Sequence, residues 1–273
     1  MDCKIGDESV THRSPARLAA GRRAVSSLRR SGDPALVRTF GLRLGRGTIA
    51  PPQPDDWHQL VTAADGRAVV RTDSAVFPLI AGSGAWLPPG VAYSIELAGD
   101  AELRLLYFRA HESGRRSPAL LRITPLLREL IARTVELGAL DGRVGAQRRL
   151  AGVVTDEVST LPEAQLHLPL PRSGAARKAA ELLLGDVPCT LGLDDVAARC
   201  GVSRRTLERA FARELGIGLG AWQRRLRFAG ALHALHAGAS VTAAALDAGY
   251  AAPSAFIAAF KRQFAITPGG FFS

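Results

Sequence analysis

Gly192-Leu193-Asp194-Asp195-Val196-Ala197-Ala198-Arg199-Cys200-Gly201-Val202-Ser203-Arg204-Arg205-Thr206-Leu207-Glu208-Arg209-Ala210-Phe211 is the run on which the fold of this 273-residue chain turns. Leu193, Val196, Ala197 and Cys200 recur at helical spacing and make one apolar face. Asp194 and Asp195 fall in the first turn, where the helix dipole favours negative charge. Gly201 ends that helix in the left-handed conformation that glycine tolerates. Ser203 caps the next helix, whose Leu207, Phe211 and Leu215 face inward at i, i+4 and i+8. Small Ala197 lets the two helices cross closely at a tight turn, which is a helix-turn-helix layout.

The layout repeats downstream. Val241-Thr242-Ala243-Ala244-Ala245-Leu246-Asp247-Ala248-Gly249-Tyr250 reads as a helix and a glycine turn. A second helix then opens at Pro253, with aromatic anchors at Phe256 and Phe260. Between the two units a long helix is expected over 219–237, with Trp222, Leu226, Ala229 and Leu232 binding it to both. With the Ser203…Arg205-Thr206-Leu207…Arg209…Phe211 run, the Ala245…Gly249-Tyr250…Ser254-Ala255-Phe256…Phe260…Phe264 run and Thr267-Pro268, residues 172–273 resemble the DNA-binding domain of the AraC family of bacterial transcription regulators. The resemblance implies seven helices. It also implies two recognition helices in successive major grooves on one face of the duplex, roughly 34 Å apart.

The helix faces name the DNA-binding candidates. In the first recognition helix Leu207 and Phe211 point inward, leaving Ser203, Arg204, Arg205, Glu208 and Arg209 toward DNA. Arginine bonds guanine O6 and N7 bidentately, glutamate accepts from cytosine N4, and Arg213 suits a phosphate. The second recognition helix has an outer face of Ser254, Ala255, Ala258 and Ala259 without an arginine. It either meets thymine methyls or only positions the domain through Lys261 and Arg262 on phosphates. The first motif is therefore expected to supply most of the base readout.

Upstream, short apolar runs at 58–63, 68–72, 75–80, 85–87, 91–97 and 103–108 are separated by Asp65-Gly66, Pro88-Pro89-Gly90 and Gly99-Asp100. That spacing suggests an all-β sandwich or barrel. From Thr124, a capping residue with Pro125 behind it, the period turns helical. Leu126, Leu127, Leu130, Ile131, Thr134 and Leu137 make one stripe, and a second helix is expected over 146–159. These helices pack on the sheet, pair with a second subunit, or both.

The run Pro51-Pro52…Trp57-His58-Gln59-Leu60-Val61…Gly66, followed by Trp86-Leu87-Pro88-Pro89-Gly90-Val91, resembles the cupin-like sensor domain of one AraC branch. That branch carries histidines where this chain has Gln53, Asp55 and Tyr93, so no bound metal, no cofactor and no catalytic residues are expected. Trp57, His58, Trp86, Tyr93 and Tyr107 are the candidate lining of an effector pocket.

The formal net charge of +10, in a chain that is 47% hydrophobic and 22% charged, favours a polyanionic partner. Only Lys4, Lys178 and Lys261 are lysines, an arginine bias that codon composition explains equally well. No run of about 20 apolar residues lacks a charge, so no membrane span is expected. The N-terminus lacks a signal-peptide core, and the three scattered cysteines make no disulfide framework. A cytoplasmic protein is the expectation.

The expected architecture is α+β in two domains. A loosely ordered arm covers 1–38, and a cupin-like barrel with trailing helices covers 39–165. A Pro-containing connector covers 166–176, and the DNA-binding domain covers 177–273, with helix-turn-helix motifs at about 192–214 and 241–264. The resemblance implies double-stranded promoter DNA and RNA polymerase as partners, and allows a homodimer and a small-molecule effector. Activation beside RNA polymerase and repression by occlusion both fit. A metal-dependent cupin enzyme and a nonspecific nucleic-acid binder are the competing readings.

Overall fold

The computed structural model of the chain describes residues 34–80, 82–109, 115–164, 166–186, 191–264 and 266–271. Residues 1–33, most of the expected arm, lie outside them. The strands are β1 (Ala35–Leu44), β2 (Gly47–Ile49), β3 (Trp57–Asp65), β4 (Ala68–Thr72), β5 (Ala75–Leu79), β6 (Ser83–Leu87), β7 (Tyr93–Leu97), β8 (Ala101–Arg109), β9 (Ala119–Arg122), β10 (Ala139–Asp141) and β11 (Leu168–Pro169). The helices are α1 (Pro125–Leu137), α2 (Gly145–Thr160), α3 (Gly174–Gly185), α4 (Leu193–Arg199), α5 (Arg204–Leu215), α6 (Leu219–His236), α7 (Val241–Asp247) and α8 (Pro253–Phe264).

Antiparallel pairing makes a six-stranded sheet, β10-β1-β8-β3-β6-β9, and a five-stranded sheet, β11-β5-β4-β7-β2. The central strands of the larger sheet, β3, β6 and β8, bury apolar side chains on both faces. On β8, Leu103, Leu105 and Tyr107 enter the core between the sheets, and Leu106 and Phe108 point the other way. That outer face is covered by α1 and α2 through Leu127, Ile131, Val154 and Val158. Two-sided burial explains why β3 and β8 read as apolar runs rather than strict alternation. The β3–β4 turn needs its glycine: Gly66 has φ +80°, and a Cβ there would lie 2.3 Å from the Asp100 carbonyl.

β1 starts at Ala35, inside the segment expected to be a loose arm. Pairing with β8 (Val37 opposite Phe108) and with β10 buries Ala35, Val37 and Thr39. α1 begins as expected, with the Thr124 side chain accepting from the Leu127 amide and Pro125 in the first turn. Its stripe is narrower than the sequence suggested. Leu127, Ile131 and Thr134 are buried, whereas Leu126 is 55% and Leu137 36% exposed. A helix advances about 100° per residue, so residues 126 and 137 share a face turned away from the sheet.

The helical half holds two cores joined by α6. Val196, Ala197, Leu207, Phe211 and Trp222 form the first, and Phe228, Ala244, Ala245, Phe256 and Phe260 belong to the second. α6 spans 219–236, and Trp222 and Leu232 serve the two cores as expected. The Pro-containing connector does not cross open solvent. Leu168 pairs with Val76 on β5, Leu168 and Leu170 are buried with the first helical core, and the Trp222 Nε1–H donates to the Pro169 carbonyl at 2.7 Å. Helix α3 begins at Gly174, inside the expected connector.

Candidate nucleic-acid interface

Ser203 accepts from the Thr206 amide at 3.2 Å and opens α5; Gly201 (φ +70°) and Gly216 (φ +70°) close α4 and α5. Leu207 and Phe211 are fully buried, and the Phe211 ring meets Trp222 edge-on at 5.8 Å. These anchors fix the rotation of α5 and leave Arg204, Arg205, Arg209 and Arg213 exposed. Arg204 pairs with Asp194 at 3.3 Å, linking α5 to α4, and Arg213 lies 3.4 Å from Glu214. Arg205 and Arg209 have no hydrogen-bond or ion-pair partner among the described residues. Two unpaired guanidinium groups one turn apart on an exposed helix suit the bidentate reading of base edges.

Glu208, expected toward DNA, is bonded within the domain. Its carboxylate turns back onto α6 and accepts from the Gly220 amide at 3.2 Å. The residue before α6 is Gly218, which has no side chain to cap the helix, so Glu208 supplies the missing acceptor. A carboxylate committed to the positive end of a helix is a poor acceptor for cytosine.

In the second unit, Gly249 (φ +80°) makes the turn and α8 starts at Pro253. Phe256 and Phe260 are buried against Phe228 at 5.9 and 5.5 Å, and Phe264 packs 4.5 Å from Phe260. Ser254, Ala255, Ala258, Lys261 and Arg262 are exposed. Ala259, read as part of the outer face, is only 8% exposed and belongs to the core beside Phe260. The sequence missed a basic cluster here. Burial raises the Tyr250 pKa, and the charges of Arg224 and Arg227 on α6 and of Arg262 on α8 act against that rise. Alternate turns of two helices brought to one corner carry no sequence signature.

The five proposed effector residues do not share one cavity. Neighbours on a strand point to opposite faces. Trp57 enters the core between the sheets, and His58 points outward to stack on Trp86 at 4.9 Å. Trp86 itself packs in the layer beneath the helices. Tyr93 and Tyr107 stay with Trp57 on the inside. The Tyr93 hydroxyl donates to the side-chain Oε1 of Gln59, and the side-chain Nε2 of Gln53 donates to the Tyr93 backbone carbonyl at 2.8 Å. Burial raises the pKa of both tyrosines and lowers that of His58. Among the described residues no group of three His, Cys, Asp or Glu side chains could hold a metal. No described helix is long and apolar enough to cross a membrane.

The profile of the AraC-binding-like domain matches residues 8–186, and that of a helix-turn-helix domain matches residues 196–273. The chain belongs to the AraC family of transcription regulators. Its helical half is an AraC-type helix-turn-helix DNA-binding domain and its sheet half an AraC-binding-like domain. Regulators of this family are not enzymes. The HTH-type transcriptional regulator NimR of Escherichia coli (strain K12) is 29% identical over 212 residues, covering 77% of this chain and 78% of NimR. The HTH-type transcriptional regulator RipA of Corynebacterium glutamicum is 28% identical over 225 residues, covering 78% of this chain but 61% of RipA. The crystal structure of ToxT from Vibrio cholerae with an unsaturated fatty acid bound aligns over 89% of this chain and 96% of ToxT, at 13% identity and a TM-score of 0.35.

Proposed function

We propose that this AraC-type regulator reads promoter DNA chiefly through α5, with Arg205 and Arg209 on base edges and Arg213 on phosphate. Helix α8 positions the domain through Lys261 and Arg262, with Arg224 beside them, while Ser254, Ala255 and Ala258 lie along the groove. The observation that carries this reading is the pair of exposed, unpartnered guanidinium groups on a helix whose rotation is fixed by Leu207 and Phe211. The two recognition helices enter successive major grooves about one helical turn apart.

Selection of bound duplexes from a random-sequence pool tests this. It yields a site with two conserved patches about 10 bp apart, the first more sharply defined. On that site, Arg205→Ala and Arg209→Ala each cost about 1–3 kcal/mol of discrimination at one position. Lys261→Ala weakens binding to all sequences alike and lowers the salt dependence. Unchanged specificity in both arginine variants would refute the assignment.

The protein works in the cytoplasm beside RNA polymerase, and its sheet domain takes a small-molecule effector. It pairs as a homodimer through the outer sides of α1 and α2, where Leu126, Leu137, Val144 and Val153 are exposed. Light scattering on the wild type and on Leu126→Asp tests the pairing: the variant gives the monomer mass.

A further inference from the structure

A cavity of about 230 Å³ opens away from the core between the sheets, on the outer face of the six-stranded sheet. Thr62 and Arg104 form its floor from paired positions on β3 and β8. Ser83 borders it from β6, Arg128 and Ile131 close it from α1, and His236, at the last residue of α6, reaches it from the DNA-binding half. Its walls therefore come from both halves of the regulator.

The charges are one-sided. Arg104, Arg128 and His236 all line the cavity, and no described carboxylate does. The nearest acidic partner of Arg104 is Glu102, 3.7 Å away, and Glu102 is engaged more closely by Arg43 at 3.0 Å. One turn back along α6, burial, and then the charges of Arg67 and His236, disfavour protonation of His233. Two guanidinium groups, with an imidazole beside them, in a concave site with apolar side walls are a site for an anion, because guanidinium groups bond carboxylate and phosphate oxygens bidentately. The cavity is smaller than the roughly 300–1,000 Å³ usual for drug-sized ligands, which limits the occupant to a compact molecule.

We propose that this cavity binds a small oxyanion, a carboxylate or phosphate on a compact and partly apolar molecule, and that the bound anion ties the outer face of the sheet domain to the end of α6. The proposal deepens the reading of the chain as an effector-modulated regulator and rests on it for its consequence, though not for the binding itself. An anion held by Arg104 and Arg128 on one side and His236 on the other stabilises the docked arrangement of the two halves. It thereby changes DNA affinity by whatever factor the docked and undocked forms differ in binding it.

The test titrates the full chain with butyrate and, separately, inorganic phosphate, against butyramide and sodium chloride at matched ionic strength. Thermal unfolding and calorimetry are the readouts. The expected result is a saturable rise in Tm of about 2–4 °C with at least one of the two anions and none with butyramide. A response to butyrate alone marks a carboxylate site, and a response to phosphate alone marks a phosphate site. Arg128→Gln, at an exposed position on α1, folds and loses at least tenfold in affinity. His236→Gln, on the other half, weakens binding in the same direction. No saturable response to either anion, or the same response in Arg128→Gln as in the wild type, overturns the proposal. Retention of duplex DNA by the ligand-free protein is measured alongside. Its failure with intact anion binding would strike the regulator reading and leave the site standing.

Discussion

Glu208 and its neighbours Arg205 and Arg209 sit within one turn of α5, yet they do different work. The arginines reach solvent, whereas the Glu208 carboxylate turns inward to the Gly220 amide. Glu208→Gln keeps a weaker acceptor and loses the charge at the positive end of α6. It lowers stability by about 1 kcal/mol in urea unfolding and leaves base preference unchanged. Altered base preference at unchanged stability would return Glu208 to the DNA face. The arginines were legible in the sequence because their exposure follows from two buried anchors at i and i+4. The fate of Glu208 was not, because its partner is twelve residues away on another helix and the deciding feature is a glycine where a cap would stand.

Among the elements, the start of α3 shows how a local signal is completed by a distant one. Ser173 stands at the cap position but its side chain makes no capping bond. Instead Glu214, at the end of α5, accepts from the Arg172 amide at 2.7 Å and the Ser173 amide at 3.0 Å. Bonds from Ser173, and then from Arg172 and Arg213, lower the Glu214 pKa from 4.5 to about 2. A carboxylate with a depressed folded pKa stabilises the fold fully above its unfolded value and ceases to do so as pH falls through the folded one. The contribution of Glu214 is therefore complete above about pH 4.5 and is lost toward pH 2. Acid unfolding followed by circular dichroism checks this: Glu214→Gln removes that part of the pH dependence. An unchanged acid limb would show that the carboxylate is not held by those amides in solution. Helix α1 teaches the opposite lesson. Its cap is local, set by Thr124 and Pro125, but the breadth of its buried stripe depends on how it lies on the sheet, which turns Leu126 and Leu137 outward.

Across the whole molecule, the two halves meet through charge as well as through β11. Arg71 on β4 lies between Glu96 at 2.6 Å and Glu181 of α3 at 3.1 Å; Arg177 pairs with Glu181 at 3.0 Å and donates to the Asp73 carbonyl at 3.0 Å. Arg71→Ala leaves two carboxylates facing each other across the junction. It speeds amide hydrogen exchange in α3, at a cost of about 1 kcal/mol or less for so solvated a network. Exchange confined to its wild-type rate would mean that the Arg71 network adds nothing to the β11 pairing, the Arg177–Asp73 bond and the apolar contacts that also join the halves. On the other side, burial, Arg67 and His236 lower the His233 pKa from 6.5 to about 4. A histidine kept neutral in the fold gains protons first in the unfolded chain. Stability therefore falls as pH drops from 6.5 toward 4, and His233→Asn flattens the thermal stability profile in that window.

Local order along the chain was enough for the two helix-turn-helix units, the caps at Thr124 and Ser203, the turn glycines Gly66, Gly201 and Gly249, and most strands between residues 57 and 109. Each of these depends on residues within one turn or one hairpin of each other, so its physics is written in the local order of the chain. Packing of distant segments was needed to put Trp57 and Trp86 on opposite faces of one sheet and to make Leu168 part of a strand of the sheet domain. The same holds for Glu208 and Glu214 as helix caps, and for Arg104, Arg128 and His236 meeting around one cavity. Those outcomes depend on which surfaces are pressed together, and a contact between residues far apart in the chain leaves no periodicity to read.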